Sequence, residues 1–321
     1  MSLSRRERTA NSGLKDSACR GAMRFSGWLR DKVYTEYETA LAAEISKRPL
    51  PEHVAIIMDG NRRYARKIGV SVERGYNYGA GITERVIEWC FDLGVKQLTL
   101  YAFSIENFCR TVEEKAKLFD LLRAEFEKLA VDERIHKNEV RMRAIGNVAL
   151  LPGPVRAAIK KAEQATERYD RFNLFIAVAY SGRMEIVDAI RIVASMIQRG
   201  VLKPDEITEE TISRHLYVSN LEGEADAVDV GARTSVDLII RTGGEMRISN
   251  FVPWQAFGNE CTAYFCAPFW PEFRRVDLMR AIRTYQDREA EKRQRMDVRI
   301  ANLKRLAEGE PQQHEGKGAG L

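Results

Sequence analysis

The sequence predicts an α/β fold, a single domain with a mainly parallel central sheet of about six strands flanked by helices. Three observations carry this. Short runs such as Val54 to Met58 and Phe172 to Ala179 (FNLFIAVA) are apolar without interruption, as strands buried on both faces are. Between such runs lie stretches with a single apolar stripe at helical spacing. The two patterns alternate along the chain, which builds right-handed β-α-β units into one parallel sheet.

Composition sets the outer limits. A chain of 321 residues with 45% hydrophobic content can bury a large core. Lys and Arg exceed Asp and Glu by 51 to 46, a net charge of +5. That mild, scattered excess suits an anionic ligand or membrane headgroups and gives no case for nucleic acid. The five cysteines (Cys19, Cys90, Cys109, Cys261 and Cys266) include no CxxC pair and read as reduced, mostly core-filling thiols. No segment has the apolar length of a membrane span, and the N-terminus carries no signal-peptide core, so a cytoplasmic protein is expected.

In chain order, residues 1–24 are polar, basic and aperiodic and are expected to be disordered. Residues 25–306 form the expected domain. It opens with an amphipathic lead-in helix over 25–47, carrying Trp28, Leu29, Val33, Tyr34, Tyr37, Leu41 and Ile45 at helical spacing, and Pro49 and Pro51 end it. The strand Val54 to Met58 follows. A striped helix is predicted over Gly79 to Leu93, a strand over Gln97 to Phe103, and a long charged helix over Val112 to His136. The alternating run Val140 to Ile145 (VRMRAI) suits a strand near a sheet edge. Pro154 opens a helix to about Tyr169, and the strand Phe172 to Ala179 leads to a helix over Met184 to Arg199 that Gly200 stops. Thr208 caps a short helix to Leu216. An acidic loop is expected over Asn220 to Ser235, then strands at Val236 to Ile240 and Ala263 to Cys266. A terminal helix over 275–306 precedes a disordered tail, 307–321.

In a parallel sheet the residues just beyond each strand share one rim, where ligands bind. Asp59, Gly60, Asn61, Arg62 and Arg63 follow the first strand. Ser104, Glu106, Asn107, Phe108 and Arg110 follow the second, and Tyr180, Ser181, Gly182 and Arg183 follow FNLFIAVA. Beyond VDLII comes RTGGEMRISN, with Arg241, Arg247 and Ser249. Each loop alone reads equally well as a solvated turn. Together they gather guanidiniums, glycines and hydroxyls around few carboxylates, the chemistry of a phosphorylated ligand and a divalent metal. The missing GxxxxGK[ST] and GxGxxG patterns argue against a P-loop nucleotidase and a dinucleotide fold. Four scattered histidines argue against zinc, and His53 reads as structural. No nucleophile-elbow motif supports a Ser-His-Asp triad.

Four blocks then resemble the cis-prenyltransferase family, which includes the undecaprenyl and dehydrodolichyl diphosphate synthases. They are HVAIIMDGNRRYA (53–65), LTLYAFSIENFCR (98–110), DLIIRTGGEMRISNFVPWQ (237–255) and ECTAYFCAPFWPEF (260–273). They stand in the family's order, the similarity spans about residues 25 to 305, and DGNRRYA is closer to the archaeal and eukaryotic pattern. The resemblance implies an enzyme that adds isopentenyl diphosphate to an allylic prenyl diphosphate, forming cis double bonds and a lipid carrier precursor. It implies a hydrophobic tunnel for the growing chain, lined from the helices at 79–93 and 112–136.

Carried over by position, Asp59 and Glu260 would hold Mg²⁺, and Asp59 and Asn107 would serve catalysis. Gly60, Asn61, Arg62 and Arg63 would cradle the allylic diphosphate. Ser104, Phe108 (at the usual Trp position) and Arg110 would lie near the reacting ends, and Arg241, Arg247 and Ser249 would bind isopentenyl diphosphate. The proton-abstracting base stays open among Asn61, a water and a phosphate oxygen. Val72 and Tyr76 occupy positions where the family often has Arg and His, with Arg74 the candidate replacement, and the acidic stretch around Glu222 to Asp229 is longer than usual. A homodimer with peripheral membrane contact through the lead-in helix is also expected. The alternative is a non-catalytic scaffold subunit, which would tend to lose Asp59 and its arginines.

Overall fold

The computed structural model describes residues 32–218, 235–256 and 261–307. The expected disordered ends, the start of the lead-in helix, nearly all of the acidic loop, and Glu260 lie outside the described residues. The chain divides at Arg48/Pro49 into two compact units. The first shows one helix, α1 (32–45). The second is the α/β unit.

That unit is built on six strands: β1 (His53–Ile57), β2 (Gln97–Ser104), β3 (Val140–Ile145), β4 (Phe172–Tyr180), β5 (Leu238–Arg241) and β6 (Thr262–Phe265). They lie in the order β3-β4-β2-β1-β5-β6, and every pairing is parallel. Every residue of β1 is buried, as its unbroken apolar run requires. VRMRAI does form an edge strand. There, side chains of a neighbouring helix satisfy two amides: Thr166 Oγ1 accepts from Met142 N–H and Glu163 Oε1 from Ala144 N–H.

His53 closes the end of β1 away from the rim. Its ring nitrogens meet Ser235 O at 2.9 Å and Thr99 Oγ1 at 2.8 Å, as a structural histidine would. The Asp237 carboxylate accepts from the amides of Glu52 and His53, which ties the same end of β1 to β5.

The helices are α2 (Asn61–Ile68), α3 (Val72–Asp92), α4 (Val112–Leu129), α5 (Glu133–Lys137), α6 (Gly153–Thr166), α7 (Gly182–Gln198), α8 (Glu209–Ser213) and α9 (Arg275–Ala307). The sequence predicts no separate helix over α2, α8 ends at Ser213 and not Leu216, and two others differ more from the sequence expectation. The helix expected from Gly79 begins at Val72, because the Ser71 hydroxyl accepts from Arg74 N–H and Glu73 sits in the first turn. The helix expected over Val112 to His136 breaks at 130–132. There Asp132 caps α5 by accepting from Arg134 N–H at 2.9 Å, so its side chain competes with helix continuation. Among the described residues, no helix is long and apolar enough to cross a membrane.

Candidate active site

Asp59 leaves β1 at the rim and is held from three directions. Its carbonyl accepts from Trp270 N–H at 2.9 Å and from Thr242 Oγ1 at 2.7 Å. Its carboxylate meets Arg63 at 3.0 Å through one oxygen and Arg241 at 2.9 Å through the other. Gly60 makes the turn into α2 with φ at 111°. A Cβ there would lie 2.9 Å from the backbone of Phe269, so both the conformation and the space require glycine.

The arginines differ in how firmly they are fixed. Arg241 is almost fully buried and donates to Arg247 O, Ser249 Oγ and Asp59. Its Nε has no hydrogen-bond partner. Ser249 takes φ of 54° and Val252 φ of 43°, left-handed conformations that non-glycine residues adopt only where the surroundings over-determine them. Arg63 lies over the Phe269 ring and donates to Gly243 O at 2.8 Å. Arg62 and Arg247 are mostly exposed; the first approaches Glu114 at 3.9 Å and the second Glu245 at 3.3 Å.

A second cluster forms where β2 ends. A register shift between β2 and β4 passes through Tyr101 to Ser104, a bulge next to the site. Ser104 N–H donates to Asn107 Oδ1 at 3.1 Å, closing a one-turn 3₁₀ helix that sets Asn107 and Arg110. Arg110 donates to Glu114 at 2.8 Å and to the Tyr76 hydroxyl, which in turn donates to Glu114. Burial and the Glu114 hydrogen bond push the Tyr76 hydroxyl up to about 12, so it stays a donor. Burial alone would raise the Glu114 carboxyl; the Tyr76 hydroxyl and the charges of Arg110 and Arg62 outweigh it and leave it below the usual range.

These groups open onto one cavity of about 620 Å³. Asp59, Asn61, Ser104, Asn107, Arg110, Arg241, Arg247 and Ser249 all line it. Gly60, Arg62, Arg63 and Phe108 do not, and Phe108 packs edge-on to Phe103, 5.0 Å between centroids. Arg74 is exposed and does not line the cavity; Tyr76 does. Asn61 Oδ1 is buried without a hydrogen-bond partner. A Cβ on Gly79 would come within 2.2 Å of that oxygen and 3.0 Å of the Trp270 ring.

Away from the polar mouth the cavity is lined by Leu100, Leu118, Leu121, Leu122, Phe126 and Leu129 among others. Several of these lie on the apolar face of the helix read from 112 onward. Sequence reasoning missed Glu114 and Trp270. The i,i+4 spacing of Arg110 and Glu114 was a signal for the first, whereas nothing local announces that the Trp270 indole donates to Gly79 O at 2.9 Å.

Among the described residues, no group of three or more His, Cys, Asp or Glu could hold a metal ion. The donors do fit Mg²⁺, which is commonly bound by one or two carboxylates plus substrate phosphates and waters. Asp59 keeps acceptor capacity beside its two arginines, since an ionised carboxylate offers about four lone-pair sites.

A family model described as putative undecaprenyl diphosphate synthase matches residues 57–293. The chain is 49% identical over 271 residues to a tritrans,polycis-undecaprenyl-diphosphate synthase (geranylgeranyl-diphosphate specific) of Methanosarcina mazei, covering 84% of this chain and 88% of the relative. It is 48% identical to the protein of the same name from Archaeoglobus fulgidus, covering 79% and 96%. Among solved structures it is similar to lavandulyl diphosphate synthase from Lavandula x intermedia in complex with dimethylallyl diphosphate. The TM-score is 0.65 at 34% identity, covering 74% of this chain and 95% of that one. A probable undecaprenyl diphosphate synthase from Campylobacter jejuni matches with a TM-score of 0.57 at 28% identity, over the same shares. With a parallel sheet whose strand ends converge on one arginine-rimmed cavity, and with catalytic relatives at this identity, the chain is a prenyltransferase and belongs to the cis-prenyltransferase family.

Proposed function

We propose that this protein is a cis-polyprenyl diphosphate synthase that extends geranylgeranyl diphosphate with isopentenyl diphosphate to a tritrans,polycis product, a lipid carrier precursor. The observation that carries this is a polar mouth, with buried Arg241 beside Asp59, Asn107 and Ser249, opening onto an apolar interior within one cavity. The starter and product follow the names of the archaeal relatives.

In each cycle the bond between the allylic carbon and its diphosphate breaks, that carbon joins the terminal alkene carbon of isopentenyl diphosphate, and a proton leaves to form the cis double bond. Diphosphate leaves readily only if its growing charge is neutralised. Arg241 and Arg247, with Ser249, bind the isopentenyl diphosphate; Gly60, Asn61, Arg62 and Arg63 serve the allylic diphosphate. Asp59, together with Glu260, would hold Mg²⁺, which when bound would supply Lewis-acid neutralisation of the leaving diphosphate. Ser104 and Arg110 keep the reacting ends in place beside Asn107, with Phe108 packed on Phe103. The apolar interior receives the prenyl tail as its tunnel, and the unpaired Asn61 Oδ1 belongs to a residue lining the same cavity.

A scaffold role is disfavoured, because Asp59, Arg62, Arg63, Arg241, Arg247 and Glu260 are all retained. The protein is taken to act as a homodimer in the cytoplasm, with peripheral membrane contact. Liposome flotation of the full chain against one lacking residues 1–47 tests that contact, and equal behaviour removes it.

The deciding experiment incubates the protein with Mg²⁺, labelled isopentenyl diphosphate and a panel of allylic starters, then sizes the products. Polycis chains grown best on geranylgeranyl diphosphate are expected. No elongation with any starter, while Asp59→Ala binds ligand as the natural chain does, sinks the enzymatic reading in favour of the scaffold.

A further inference from the structure

β4 and β5 are not neighbours, since β2 and β1 stand between them in the sheet. The loop after β5 nevertheless reaches the residues after β4, so it crosses the strand exits at the mouth of the cavity. One residue ties it down on the far side. Asn250 Nδ2 donates to Ser181 Oγ at 2.7 Å, and Asn250 Oδ1 accepts from Arg183 N–H at 3.0 Å. Its carbonyl accepts from Gly182 N–H, also at 3.0 Å. Among the described residues, Asn250 makes every hydrogen bond between this loop and residues 181–183. Its amide also reaches Glu106, which follows β2, at 3.5 Å.

The side chain suits the place. Arg183 N–H can only donate, which fixes Oδ1 on that side and leaves Nδ2 for Ser181; a carboxamide both accepts and donates.

The near side of the loop carries the groups assigned to isopentenyl diphosphate. Ser249, directly before Asn250, holds φ of 54°, and its Oγ accepts from Arg241. The carbonyl of Arg247 accepts from the same guanidinium. An uncommon backbone conformation persists only while its surroundings over-determine it. Here Arg241 is the anchor on one side of Ser249 and Asn250 the anchor on the other. Releasing Asn250 leaves Ser249 free to relax and to carry Arg247 with it.

The continuation of the loop is held by other means. Phe251 is buried and stacks on Tyr101, 4.6 Å between centroids. Pro253 packs so closely on Gly182 that a Cβ there would lie 2.1 Å away. These apolar contacts keep the loop on the body of the protein without the Asn250 amide. What the amide adds is the placement of 247–249.

Resting on the synthase reading above, we propose that Asn250 is a positioning residue for isopentenyl diphosphate, acting through Ser249 and Arg247.

The test is steady-state kinetics with Mg²⁺, varying isopentenyl diphosphate and geranylgeranyl diphosphate in turn. Asn250→Ala is expected to raise KM for isopentenyl diphosphate roughly tenfold, the scale for losing two hydrogen bonds, and to leave KM for the starter unchanged. Asn250→Asp keeps an acceptor for Arg183 N–H, and the Ser181 hydroxyl can turn to donate to it, so the natural KM is expected to return. A residue that only stabilised the fold would lower turnover through the amount of folded protein and leave both KM values in place. If Asn250→Ala does not fold, Ser181→Ala replaces it, with a few-fold rise in the same KM expected from the loss of one partner. Unchanged KM for isopentenyl diphosphate in the variant that folds overturns the positioning role. So does an equal rise in both KM values, or an Asn250→Asp protein no better than Asn250→Ala. A natural chain that elongates no starter overturns the synthase reading together with it.

Discussion

The two ends of the cavity handle charge in opposite ways. At the mouth, Arg241 is almost buried and fixed by three acceptors on rigid strand-end loops, one of which carries Ser249 in a left-handed conformation. At the inner end, Lys128 and Arg134 sit half exposed on two helices and share one carboxylate. The difference teaches that guanidinium–carboxylate pairing is not one device. Buried and geometrically fixed, it is preorganised to meet charge that develops in a reaction. Exposed and helix-borne, it is a contact that solvent can take apart.

The sharpest way to break this contrast is at Asp59. Asp59→Asn is expected to lower turnover by roughly 10²–10³-fold, the scale for removing one preorganised charge-stabilising group. A steady-state elongation assay reads it; a loss under tenfold would mean the mouth is no better organised than the inner end. Arg241→Lys comes next. Lysine keeps the charge but cannot make the forked contacts to Arg247 O, Ser249 Oγ and Asp59. With about 1.5–3 kcal/mol at stake for hydrogen bonds of a charged group, KM for isopentenyl diphosphate should rise on the order of tenfold or more.

Gly79→Ala tests packing behind the mouth. Its methyl would press on Asn61 Oδ1 and the Trp270 ring, so a destabilisation of about 1–3 kcal/mol is expected in denaturant unfolding. An unchanged midpoint would show that α3 can shift away. The smallest effect belongs to Tyr76→Phe, which removes one hydroxyl between Arg110 and Glu114 while keeping the ring. Loss of a hydrogen bond worth about 0.5–1.5 kcal/mol predicts a few-fold rise in KM for the allylic starter with turnover little changed. A larger fall in turnover than in affinity would place Tyr76 nearer the chemistry than Arg110 suggests.

The sheet was legible because its signal is local. An unbroken apolar run such as Val54 to Ile57 can hardly be satisfied except between two neighbouring strands, and β3 betrayed its edge position by alternating. The rim followed from topology, since parallel strands must present Asp59, Asn107 and Arg241 on one side. What escaped were contacts that depend on distant partners. Arg62 and Arg63 look like equals in the sequence, yet Arg63 finds Asp59 and Gly243 while Arg62 faces solvent. Tyr76 read as a departure from a pattern, and only its distance from Glu114, 38 positions along, reveals a hydrogen-bonded unit. The break after α4 was hidden because Asp132 stops a helix only when its carboxylate turns back to cap the next one.

That break also has a geometric consequence. Along an uninterrupted helix, side chains advance by about 100° per residue at 3.6 residues per turn, so positions six apart point about 120° away from each other. Lys128 and Arg134 stand six apart, and a continuous helix through both would turn one of them away from Glu84. The short interruption at 130–132 acts as a phase shift, resetting the rotation so that two helices aim at the same point. A pause of three residues thus decides which side chains the inner end of the cavity can bring together.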